Sequence, residues 1–86
     1  MHEMSLALEV CRITELQVGR EALPRVREVG LDVGDEAGIE VENFAFCLEA
    51  LLGAPPFSGA RPVIERCIGD VLRVTYLEVE DGGPED

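Results

Sequence analysis

The spacing of apolar residues changes along this chain, and each change marks the edge of an element. From residue 5 to about residue 18, Leu6, Val10, Ile13 and Val18 recur at helical intervals, with Glu9, Arg12 and Glu15 opposite them. This predicts a first amphipathic helix. Gly19 is placed to stop it, and Pro24 prevents one continuous helix from running onward. Residues 25–34 read as a strand, because Val29, Leu31 and Val33 alternate with Gly30 and Asp32; Val26 has the other parity and predicts a bulge. The stretch 34–38, rich in glycine and acid, breaks the alternation.

A second helix is expected from about residue 40 to residue 52, burying Val41, Phe44, Leu48 and Leu51, with Gly53 past its end and Pro55-Pro56 forbidding continuation. Residues 61–67 and 71–80 then read as two strands joined in a hairpin by a tight turn at Ile68-Gly69-Asp70. The order αβαββ implies an α+β fold, a small three-stranded mixed sheet with two helices packed on one face. The first two strands, joined through a helix, should run parallel with a right-handed crossover. The expectation is one domain over residues 1–80 and a disordered acidic tail over residues 81–86, which lack apolar side chains.

Length and charge narrow the function. A chain of 86 residues supports one modest core, and no apolar run approaches the length that spans a bilayer. With 18 acidic and 7 basic side chains, the net charge of -11 repels phosphate backbones and anionic lipid alike, so neither nucleic acid nor membrane is an expected partner. The three cysteines, Cys11, Cys47 and Cys67, are widely spaced with no C-x-x-C pair. They read as small apolar residues of a reducing cytoplasm, not as a disulfide framework or zinc ribbon.

The remaining chemistry lies at the start of the chain. His2 is the sole histidine. The Met1 amine and the His2 amide nitrogen close a five-membered chelate ring on a metal, and that amide with His2 Nδ1 closes a six-membered one. Ni(II) or Cu(II) favours such nitrogen donors in a square and displaces an amide proton that Mg²⁺ or Ca²⁺ leaves in place. Glu3 is either an auxiliary ligand or a carboxylate set against the positive end of a helix dipole. Bulky His2 argues for retention of Met1. The candidate metal residues are therefore Met1, His2 and Glu3, and no catalytic set is apparent.

Met1-His2-Glu3-Met4-Ser5-Leu6-Ala7 resembles the opening of the HypA/HybF family of hydrogenase nickel-incorporation proteins. The similarity continues through residues 25–34, through Val41-Glu42-Asn43-Phe44-Ala45-Phe46-Cys47-Leu48, and through residues 69–80. It implies a cytoplasmic metallochaperone, not an enzyme, that delivers Ni(II) to the large subunit of nickel-iron hydrogenase, with the GTPase HypB as the usual companion. Members of that family ordinarily carry a zinc-binding insertion with two C-x-x-C pairs between the last two strands. Here Cys67, Ile68 and Gly69 stand where it should begin and end, so structural zinc is not expected. The alternative reading is a partner-binding or regulatory module of hydrogenase assembly that carries no metal itself.

Overall fold

The computed structural model describes residues 2–81; Met1 and the tail from residue 82 onward lie outside the described residues. Helix α1 spans Glu3–Val18, a 3-10 helix spans Arg20–Arg25, strand β1 spans Val26–Gly34, helix α2 spans Val41–Leu52, and strands β2 and β3 span Arg61–Cys67 and Leu72–Val79. The architecture is α+β, with a mixed three-stranded sheet in the order β2-β1-β3. β1 pairs parallel with β2 and antiparallel with β3, as a strand-helix-strand unit followed by a returning strand requires. The anticipated bulge is present: Val26 faces Val79 and Glu28 faces Glu78, which leaves Arg27 as the extra residue.

The hairpin expectation is wrong. β2 and β3 do not pair with each other; they flank β1, and residues 68–71 cross over its end. Two strand spacings amount to roughly 10 Å, and four residues at about 3.3 Å each reach far enough. The crossing is held by the backbone: Gly34 N–H donates to Val71 O at 2.8 Å, Asp35 N–H to Cys67 O at 2.7 Å, and Glu36 N–H to Gly69 O at 2.9 Å. Gly34 has no room for a side chain, since a Cβ there would stand 2.7 Å from the Gly69 carbonyl carbon and 2.8 Å from Val71 N.

The core lies between the helices and the sheet face carrying Val29, Leu31 and Val33. From α2 it takes Phe44, Cys47, Leu48 and Leu52, with Leu51 only half-buried, so the buried face is rotated from the expected one. On α1 the buried line is Glu3, Ala7, Val10 and Thr14, while Leu6, Ile13 and Val18 are half-buried. Ala7 lies in the core, and the Thr14 hydroxyl donates to Val10 O at 2.8 Å, which removes the cost of burying it. The opposite sheet face is polar. There Glu28 accepts from Arg61 and from the Tyr76 hydroxyl, and Arg73 pairs with Asp32 at 3.2 Å.

Candidate metal centre

His2 is the N-cap residue of α1, at φ -91 and ψ -8, and its side chain makes no capping hydrogen bond. It is exposed. Its carbonyl accepts the first helical bond, from Leu6 N–H at 2.9 Å. The amides before Leu6, that of His2 among them, have no intrahelical acceptor. An amide proton lost here to a metal breaks no helical bond.

Glu3, the next residue, is buried. It is 7 % exposed, and its carboxylate reaches across to the start of α2, where Oε2 accepts from Glu40 N–H at 3.0 Å and Oε1 from the Asn43 side-chain amide at 3.3 Å. The Glu40 N–H is the largest of several hydrogen-bond donors that hold the Glu3 carboxyl down at about 2. Glu40 is in turn the N-cap of α2, and its Oε1 accepts from Asn43 N–H at 3.1 Å. One carboxylate therefore ties the first turns of both helices together.

Of the sequence-derived metal residues, then, the structure exposes His2, buries Glu3 against α2, and leaves Met1 outside the described residues. Glu40 and Asn43 were not singled out in the sequence. Their only local signal is an acidic cap three residues before a helix-compatible asparagine, and nothing local points it at Glu3.

Among the described residues, no three His, Cys, Asp or Glu side chains gather into a metal cluster. The cysteines are free and apart: Cys47 is in the core, Cys11 is half-buried on α1, and Cys67 ends β2. Burial pushes the Cys11 thiol up, away from the thiolate that binds metal. All seven basic residues are arginines, and Arg12, Arg20, Arg27, Arg61, Arg66 and Arg73 each pair with a carboxylate. The excess of 18 acidic over 7 basic side chains gives the surface a negative field. No described helix is long and apolar enough to cross a membrane.

The class these features define is a small α+β domain that exposes His2 at the start of a helix tied by Glu3 to α2. A family model described as "Hydrogenase/urease nickel incorporation, metallochaperone, hypA" matches residues 1–72. The chain is 39% identical over 91 aligned positions to the Hydrogenase maturation factor HypA of Azotobacter chroococcum mcd 1, covering 99% of this chain and 80% of that one. It is 39% identical over 67 residues to the protein of the same name from Chlorobaculum parvum, covering 78% of this chain and 59% of the relative. Against that of Azotobacter vinelandii it is 41% identical over 61 residues, 71% and 54% of the two chains. The chain belongs to the HypA family of nickel-incorporation metallochaperones, which are maturation factors and not enzymes. It spans little more than half the length of the last two relatives.

Proposed function

We propose that this chain captures Ni(II) at its N-terminus and hands it to the large subunit of nickel-iron hydrogenase in the cytoplasm, alongside a HypB-type GTPase. The Met1 amine, the His2 amide nitrogen and His2 Nδ1 are the ligands. The Glu3 carboxylate is engaged with α2. Three nitrogens leave one position of a square for water or for a ligand of the recipient, and an open position suits transfer.

The observation that carries this reading is His2, exposed and uncapped at a helix start whose amides have no helical acceptor, in a chain of a nickel-incorporation family. The surface field adds to it by raising the local concentration of cations. Cys67 adjoins the crossing at 68–71, and among the described residues no three His, Cys, Asp or Glu side chains gather into a cluster.

Calorimetry of Ni(II) against the native chain and His2→Ala tests the assignment. One equivalent should bind the native chain with release of protons, and His2→Ala should lose that binding. Mild acid should free the ion, because imidazole and amide nitrogens bind only without their protons. Undiminished binding by His2→Ala would return the chain to the alternative, a partner-binding module of the assembly pathway that carries no metal at this end.

A further inference from the structure

The contact between Glu3 and α2 does more than join two helices. Glu3 is the residue immediately after the proposed chelating dipeptide, so whatever fixes Glu3 limits where His2 can go. Two groups of α2 hold its two carboxylate oxygens separately: the Glu40 N–H on Oε2 at 3.0 Å and the Asn43 side-chain amide on Oε1 at 3.3 Å. The Glu40 contact uses backbone and persists whatever side chain stands at 40. The Asn43 contact depends wholly on that residue type, because an amide donates where alanine offers nothing and a carboxylate repels.

Asn43 is also poorly explained by packing. It is exposed, α2 buries Phe44, Cys47, Leu48 and Leu52 instead, and asparagine is a weak helix former. Its backbone N–H is already accepted by Glu40 Oε1, which fixes the first turn of α2 and aims the side chain.

We propose that Asn43 is a positioning residue for the N-terminal nickel site, acting through Glu3. This rests on the reading of Met1 and His2 as the ligands. With both carboxylate oxygens held, the backbone at Glu3 stays in the first turn of α1, which fixes where the chelating dipeptide joins the helix. Preorganisation of this kind lowers the entropic cost of binding.

A double-mutant cycle on Ni(II) affinity tests the assignment, using native protein, Asn43→Ala, Glu3→Ala and the double variant, with visible circular dichroism of each nickel complex and thermal unfolding of each apo form. Asn43→Ala should weaken Ni(II) binding by about tenfold and alter the visible spectrum. Asn43→Asp, which sets a second carboxylate against Glu3, should do so more strongly. In the Glu3→Ala background, Asn43→Ala should change nothing further. A role in stability alone would lower the unfolding midpoint and leave the spectrum and affinity of the folded protein unchanged, which overturns the proposal. An effect of Asn43→Ala that persists undiminished without Glu3 overturns it as well. Native protein that binds no Ni(II) sinks both this assignment and the nickel reading, whereas native binding matched by Asn43→Ala sinks this one alone.

Discussion

Residues 35–40 carry the chain from the end of β1 to the start of α2, and the two ends of this segment are held in different ways. At its start the ties are mainly backbone to backbone, Asp35 and Glu36 donating to the crossing at Cys67 and Gly69, with only the exposed Asp35–Arg66 ion pair beside them. At its end the tie is a side chain, the Glu3 carboxylate receiving Glu40 N–H. Backbone ties do not titrate and survive most substitutions; a carboxylate tie titrates and a single substitution deletes it. The fold is thus fixed where chain crosses chain and adjustable where it adjoins the proposed metal site.

The largest expected effect breaks the fixed end. Gly34→Ala forces a Cβ into the crossing backbone, and urea unfolding should show a loss of about 3 kcal/mol. A loss within measurement error would mean that the crossing is loose. Gly30, on the same strand, sharpens the contrast. It is covered by the Tyr76 ring, whose Cζ would lie 2.7 Å from an added Cβ, and Tyr76 is 44% exposed. That ring can swing aside, so Gly30→Ala should cost less, about 1 kcal/mol, chiefly by parting Tyr76 from Glu28.

The adjustable end is expected to show itself in acid. The Glu3 carboxyl is depressed from 4.5 to about 2, so its contribution is complete above the ordinary value of 4.5 and disappears as pH falls through about 2. The stability difference between native protein and Glu3→Gln should therefore shrink over that window; a difference that stays constant would show that the bond to α2 does not depend on charge. Gly34→Ala, by contrast, should show a pH-independent loss. The smallest effect concerns Cys11, whose raised thiol should be alkylated more slowly at neutral pH in the folded chain than after unfolding.

Much of the fold is legible in the sequence because it is local. Gly19 ends α1, Gly53 follows α2, and the alternation of Val29, Leu31 and Val33 marks the strand that the sheet is built on. What escapes is non-local or nearly balanced. The arrangement β2-β1-β3 depends on how 68–71 meets Gly34, and a short glycine-containing link between two alternating runs looks like a hairpin unless that meeting is known. The 3-10 helix at Arg20–Arg25 hides behind Pro24, which signals a break without saying what replaces the helix. At the candidate site, chelate geometry proposes His2, which the structure leaves exposed. The partner of Glu3 is not legible, since Glu40 and Asn43 are 37 and 40 positions away and only the packing of α1 on α2 brings them together.

The central claim is that the terminal amine and His2 together hold nickel, and acetylating the Met1 amine tests it most directly. Acetylation takes the amine nitrogen out of the donor set and leaves every side chain in place. Titrated with Ni(II) beside the native chain, the acetylated form should bind at least about tenfold more weakly and give a different visible spectrum. Equal affinity with an identical spectrum would contradict the claim and move the metal, if the chain holds one, away from its first residues.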